Sequence, residues 1–282
     1  MVMAGMSELA AAGAETPVKN GGARPDIPAL KAWFVEYCRS FSMPEEDAQR
    51  NISLKEYHTR KVCENIISIA QGESLTGKER ETAEIIALFH DVGRFEQYRR
   101  YRTFKDSESV NHAALGADIL REKNVLAALD QAERELVLKS VRLHNVFAIP
   151  SKLGREEKLF LKLVRDADKL DIWRVFTEYF SLPEAERASA AGLGFPDLPG
   201  YSQEVLASLN DGAMVHLSML KTLNDFKLLQ LSWVFDLNFP TSYRLLQERN
   251  CIGHLSATLP KDEAIHAAMI RINEFVHEKA AQ

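Results

Sequence analysis

Four of the eight histidines in this 282-residue chain, His58, His90, His112 and His144, lead to Asp168 at successive intervals of 32, 22, 32 and 24 residues, and Asp91 directly follows His90. Each interval is close to one helical hairpin or one helix plus its loop, so each group falls on its own helix and five helices can converge on one point. Imidazole nitrogens and carboxylate oxygens together suit Mn, Fe, Co, Ni, Zn or Mg. The three cysteines, Cys38, Cys63 and Cys251, are far apart and form no Cys-x-x-Cys pair, which argues against a structural thiolate zinc site.

Position on the helices supports convergence. His58 is in register with Val62, Ile66 and Ile69; His90 with Ala83 and Ile86; His112 with Leu115, Gly116 and Ile119; His144 with Val137 and Val141; Asp168 with Leu161, Val164 and Ile172. Any one of these histidines alone reads as an ordinary core or capping residue. Burying the whole set on apolar faces would cost several kcal/mol for each unpartnered group, on the order of 2–7, and a metal ion compensates that cost for all of them together.

The elements that must carry these residues are helical from Ile27 onward, with few alternating β-branched runs, so the sequence predicts an all-α fold. Thr76 with Glu79 reads as a capping box, and Asp130 with Glu133 repeats the pattern. Gly72, Pro150 with Gly154, and the stretch AGLGFPDLPG at 191–200 mark breaks. The expected organisation is a mobile tail over 1–26, rich in Ala and Gly, a metal-bearing helical core over 27–190, and a helical extension over 191–282 with three or four helices. Within the extension, LLQLSWVFDLNFP at 228–240 reads as core or as a homodimer face rather than a cofactor site.

Composition restricts the function classes. With 35 basic against 40 acidic side chains, a net charge of −5 and a pI near 6.0, the chain lacks the basic surface expected of a protein that holds nucleic-acid polymers or anionic membranes. No uncharged apolar run reaches the ~18–20 residues of a transmembrane helix. No basic n-region of a signal peptide precedes Lys19. Together with the cysteine usage this predicts a cytoplasmic protein with small-molecule partners.

Tyr57-His58-Thr59-Arg60, Phe89-His90-Asp91-Val92-Gly93-Arg94 and Asp166-Ala167-Asp168-Lys169-Leu170-Asp171 resemble the signatures of the HD-domain superfamily of metal-dependent phosphohydrolases. The resemblance spans about residues 50–185 and implies an HD-type helical bundle. It implies that His58, His90, Asp91 and Asp168 hold one metal. His112 and His144 match the subgroups that hold two, in which the aspartate of the dyad bridges the ions. Two ions roughly 3.5 to 4 Å apart polarise a phosphoryl oxygen and supply hydroxide at neutral pH. The implied activity is hydrolysis of a phosphoester in a nucleotide or other small phosphorylated metabolite, with Asp91, Arg94 and Lys169 as the candidate catalytic residues.

Charge stabilisation on the phosphate requires cations near the ions. Arg94 stands where relatives carry a lysine. Lys169 adjoins Asp168 and lies on one helix face with Lys158, Lys162 and Arg165, of which Lys158 and Lys162 read as a solvated stripe. The segment RFEQYRRYRTFK at 94–105 either forms an aromatic and basic pocket rim or pins a loop to the bundle. The chain departs from the cyclic-dinucleotide phosphodiesterase subgroup in having His144-Asn145 in place of paired histidines and in lacking a Gly-Tyr-Pro triplet. Two other functions are compatible with the resemblance. One is an HD-fold diiron oxygenase, against which the short interval between His144 and Asp168 argues; the other is a non-catalytic ligand-binding sensor, against which retention of all the ligands argues.

Overall fold

The computed structural model describes residues 26–282, so the tail expected over 1–26 lies, except for Asp26, outside the described residues. The described residues form twelve α-helices joined by loops and four short 3-10 turns, with no β-strand, in agreement with the all-α expectation.

The frame is made by two long helices, α2 (Glu46–Gly72) and α7 (Arg155–Ser181), each of 27 residues and therefore ~40 Å long. They pack along each other because Ile52, Val62, Ile66 and Ile69 recur on one face of α2 while Leu163, Val164, Ala167 and Leu170 face inward from α7. Against this pair lies α3 (Gly77–Phe89), whose start is fixed by the predicted capping box. The Glu79 amide donates to Thr76 Oγ1 and the Thr76 amide donates to Glu79 Oε2. The second expected box is only half formed. Asp130 does cap α6 (Gln131–Leu143) by accepting from the Glu133 amide at 2.9 Å, but the Glu133 carboxylate accepts instead from Thr82 Oγ1 at 2.8 Å and ties α6 to α3. A tertiary partner has displaced the local one.

Helices α4 (Gly93–Tyr101) and α5 (His112–Glu122) meet at a glycine contact. A Cβ on Gly93 would lie 2.2 Å from the carbonyl oxygen of His112 and 2.7 Å from the amide nitrogen of Gly116, both backbone atoms that cannot move aside. The aromatic spacing of 94–105 serves mainly to pin this region. Phe95 is buried with its ring centroid 5.9, 6.0 and 5.8 Å from those of Phe34, Tyr37 and Phe41, two of which lie on α1 (Ile27–Arg39).

The C-terminal third contains five α-helices rather than three or four: α8 (Gln203–Asn210), α9 (Leu223–Ser232), α10 (Pro240–Glu248), α11 (Cys251–Ser256) and α12 (Glu263–Ala280). The additional break comes at Asn250, which adopts φ 48° between α10 and α11, a left-handed value that Asn tolerates. The apolar run at 228–240 is the end of α9 followed by a 3-10 turn, and every residue of α9 is buried. Helices α10 and α11 pack on α7, and α10 also reaches α2. Polar ties reinforce the packing: buried Asp166 accepts from the Asn238 amide at 2.8 Å, from Asn238 Nδ2 at 2.8 Å and from the Phe239 amide at 3.2 Å. No helix among the described residues is long and apolar enough to cross a membrane.

The glycine contact yields a stability prediction. Gly93→Ala must separate α4 from α5, so it should cost about 3 kcal/mol, the upper end for overpacking. Gly116→Ala meets a Val92 methyl at 3.1 Å and should cost clearly less. Denaturant unfolding of both variants checks the order, and equal midpoints would refute it.

Candidate metal centre

Each of the six sequence-predicted ligands has a definite place on the bundle. His58 is in the middle of α2 and Asp168 in the middle of α7, facing each other along the main helix pair. His90 and His144 end α3 and α6 as their C-cap residues, and His112 opens α5. Asp91 follows in the short turn between α3 and α4, so the Gly93 contact brings α5, and with it His112, up to Asp91.

All six side chains converge. His58 Nε2 lies 3.1 Å from Asp168 Oδ1 and 3.4 Å from His90 Nε2, and His90 Nε2 lies 3.7 Å from Asp168 Oδ1. On the other side His112 Nε2 is 3.1 Å from His144 Nε2, and the two are 3.3 and 3.7 Å from Asp91 Oδ1. The donor atoms of His58, His90 and Asp168 lie within 4.8 Å of one another, as do those of Asp91, His112 and His144. Asp91 joins the two groups: its Oδ1 faces His112 and His144, while its Oδ2 lies 3.6 Å from His58 Nε2 and 3.8 Å from His90 Nε2.

The far side of each ring fixes its tautomer. The Nδ1 of His90 donates to the Ala87 carbonyl at 2.7 Å and that of His144 to the Val141 carbonyl at 2.8 Å, the carbonyls three residues back in their own helices. His58 Nδ1 donates to Asp171 Oδ2 at 2.6 Å, and His112 Nδ1 to Asp106 Oδ2 at 2.8 Å. With Nδ1 protonated, every Nε2 presents a lone pair to the centre, the arrangement by which outer partners orient metal-binding imidazoles. Four aligned Nε2 atoms and two carboxylates, with no thiolate, make a donor set that fits divalent transition metals.

The electrostatics agree. Burial alone would push Asp91 and Asp168 up, but Lys55, His90, Arg94 and His112 around Asp91, and His58 and His90 around Asp168, hold both carboxyls well below the usual range. Burial, with His112 and His90 close by, pushes His144 down to about 3, and burial together with the Arg94 charge lowers His112. Ionised acids beside neutral His112 and His144 are the protonation states that ligation requires, whereas at His58 burial and Lys55 are outweighed by the hydrogen bonds to Asp168 and Asp171, which raise it to about 9, so a metal there has a proton to displace.

The two cations expected to face substrate are present but engaged. Arg94 has its Nε 3.4 Å from Asp91 Oδ1, while Nη1 donates to the Phe104 carbonyl at 2.6 Å, to Gln97 Oε1 at 2.9 Å and to Asp106 Oδ1 at 3.1 Å. Lys169 Nζ donates to Asp236 Oδ2 at 2.7 Å, as does Arg165 Nη2 at 2.6 Å. Arg165 is therefore buried, and it also donates to the carbonyls of His144 and Val146 in the turn after α6. Of the basic face on α7, Lys158 and Lys162 remain partly exposed.

Several residues of the site gave no distinct signal in the sequence. Lys55, three residues before His58, places its Nζ 2.8 Å from Asp91 Oδ2 and is the cation nearest the acids. Asp171 was within reach of sequence reasoning as the last residue of the third signature, but Asp106 opens a short 3-10 turn between α4 and α5 and Asp236 ends another in the C-terminal third. Lys55 and Asp106 line a cavity of about 720 Å³, to which His58, Asp91, His112, His144 and Asp168 also contribute, together with Arg94 and Lys169.

The outer partners are testable separately from the ligands. Asp171→Ala should weaken metal binding roughly 10- to 100-fold with helical content unchanged, and Asp106→Ala should act similarly through His112. Competition with a chromogenic chelator measures both, and undiminished affinity in either variant would remove that carboxylate from the support of the centre.

Residues 56–173 match the HD domain family, a span that contains all six converging residues. No curated protein matches the chain. A solved structure described as a predicted HD superfamily hydrolase, from an uncultured Thermotogales bacterium, is 25% identical, with 56% of this chain and 82% of that chain covered and a TM-score of 0.36. The family match and the six residues it contains agree with the resemblance carried by the motifs: residues 56–173 of this chain are similar to the HD domain.

Proposed function

We propose that this protein is a metal-dependent phosphohydrolase that cleaves a phosphoester in a small molecule. One observation carries the proposal: the two oxygens of Asp91 face two separate groups of imidazoles, and that shared carboxylate stands beside two cations at one end of a cavity. His58, His90 and Asp168 would hold one ion, His112 and His144 a second, with Asp91 between them. Bound there, two divalent ions supply Lewis acidity at a phosphoryl oxygen and acidify water so that a nucleophile is available near neutral pH.

The protein's own groups account for the remaining requirements. Lys55 reaches the centre from α2, and Arg94 is held against Asp91 by the Phe104 carbonyl and Asp106, so positive charge is oriented before substrate arrives. Lys169, steered by Asp236, lines the same cavity and can neutralise a more distant phosphate oxygen. The Nδ1 partners keep all four imidazoles in the ligating tautomer, so none serves as a proton donor through its inner nitrogen. Such a concentration of cations suits an anionic phosphoester better than the substrate of a diiron oxygenase.

Phosphate release from a panel of nucleotides, cyclic nucleotides, sugar phosphates and simple phosphomonoesters, with Mn, Co, Ni or Mg supplied, tests the proposal. Turnover should require metal and vanish in Asp91→Ala. Arg94→Ala and Lys55→Met should retain metal and lose roughly 10- to 100-fold in kcat/KM, the worth of one charge-assisted hydrogen bond. Metal-loaded protein that hydrolyses nothing on the panel but consumes dioxygen when loaded with iron would replace the phosphohydrolase by the oxygenase.

A further inference from the structure

The cavity that holds the metal-binding residues continues well beyond them, and its character changes along its length. The lining contributed by residues 172–233 is apolar except for the Ser218 hydroxyl and the indole N–H of Trp233, while the loop residues Lys105, Ser107, Glu108 and Asn145 line the same cavity, with Lys105 Nζ 3.8 Å from the Cβ position of Gly194. Helix α7 connects the two ends: Asp168 lies at the centre, and Ile172, Val175 and Phe176 follow on the cavity side over the next two turns. At ~1.5 Å per residue the lining on α7 therefore reaches roughly 12 Å from Asp168. Its far wall comes from the C-terminal third, where the Phe226 ring packs edge-on to Phe176 at 5.0 Å and stacks with Phe195 at 5.6 Å, and where Leu229 also faces the cavity.

Two features distinguish this chamber from imperfect packing. Interiors otherwise fill to crystal-like density, whereas this chamber stays open as part of a cavity of about 720 Å³. Leu193, which lines the chamber, adopts φ 54°, a left-handed value that is uncommon for a bulky residue, and Gly194 follows it at φ 65°. A glycine at 193 would adopt that backbone freely; a leucine there keeps an apolar side chain at the wall despite the strain.

We infer that the substrate is amphiphilic, a phosphoester whose non-reacting part is an apolar chain or ring with few hydrogen-bonding groups, rather than a nucleotide. The inference rests on the proposed phosphohydrolase reading for the phosphoryl end alone. A nucleobase and ribose placed in the chamber would leave most of their donors and acceptors facing apolar side chains, which is costly. An alkyl, isoprenoid or aryl group placed there loses no hydrogen bond and gains its burial in full.

Binding to the metal-loaded protein tests this without turnover. For n-alkylphosphonates from methyl to octyl, Kd should fall by up to roughly fourfold per methylene until the chamber is filled, and octylphosphonate should bind more tightly than a nucleoside 5′-phosphonate. Leu193→Gly relieves the backbone strain and should fold normally, and Ala191→Phe narrows the chamber; both should weaken octylphosphonate at least tenfold and leave methylphosphonate unchanged. The matching n-alkanols probe the chamber by itself. Alkanols that gain affinity with length while phosphonates bind no more tightly than alkanols would sustain the apolar chamber and overturn the phosphohydrolase reading. A phosphonate series flat in chain length, or a nucleoside phosphonate that binds more tightly than octylphosphonate, would overturn the amphiphilic substrate.

Discussion

Four buried imidazoles, buried Asp91 and half-buried Asp168 gathered at one point impose the constraint to which the rest of the fold answers. Asp91 and Asp168 keep their charge despite burial because cations and ring nitrogens lie within a few ångströms, and that proximity tolerates little slack. The long contact between α2 and α7 sets His58 against Asp168. The close approach at Gly93 brings α5 against the turn that carries Asp91. Placing His90 and His144 at helix ends lets the last turns of α3 and α6 hold each Nδ1 with a carbonyl of the same helix, so two of the four rings are oriented by secondary structure alone. The other two need acids from elsewhere. One of these, Asp171, is itself gripped by Arg174 Nε at 2.6 Å and Nη2 at 2.9 Å, and Arg174 is in turn paired with Glu178 and laid over the Tyr57 ring.

Helix α7 shows how one short polar segment can serve several directions. Successive residues rotate by about 100°, so Asp166, Asp168, Lys169 and Asp171 project to different sides. Asp168 faces the imidazoles; Asp171 supports His58; Asp166 anchors the 238–239 backbone; Lys169 meets Asp236. Four charged residues within six positions would break an apolar stripe in most helices. Here each has a partner, and the stripe continues through Leu163, Val164, Ala167 and Leu170 on the faces between them.

The part of this arrangement that was legible in the sequence is the part fixed by local periodicity. A histidine on the apolar face of a helix is conspicuous, and four of them with Asp168 at hairpin intervals imply convergence. Lys55 was not conspicuous, because a lysine on a long amphipathic helix has the same pattern whether it points to solvent or to Asp91. Arg94 and Lys169 adjoin the candidate ligands in sequence, but their ties to Asp106 and Asp236 depend on a loop and on chain more than sixty residues away. Local patterning carries no record of such pairings. Glu133 shows the same limit in reverse: the motif specified a capping box, and Thr82 on another helix took the carboxylate.

The division of labour along the chain follows from this difference. The helices that carry the six converging residues obey a motif because a site of this kind admits few donor sets and few spacings, and the match to the HD domain stops at residue 173. Nothing comparable constrains the wall beyond it. Val175, Phe195, Leu217, Phe226 and Leu229 need only be apolar and of suitable volume, so the region that shapes the cavity can change while the centre does not. The two regions are nevertheless mechanically joined. Asp236 belongs to the C-terminal third, yet it holds both Lys169 and Arg165, and Arg165 grips the turn that follows His144. A change in how the C-terminal helices seat would therefore reach the cations beside the centre through a single carboxylate, which makes the shape of the distant chamber and the charge beside the converging imidazoles parts of one structure.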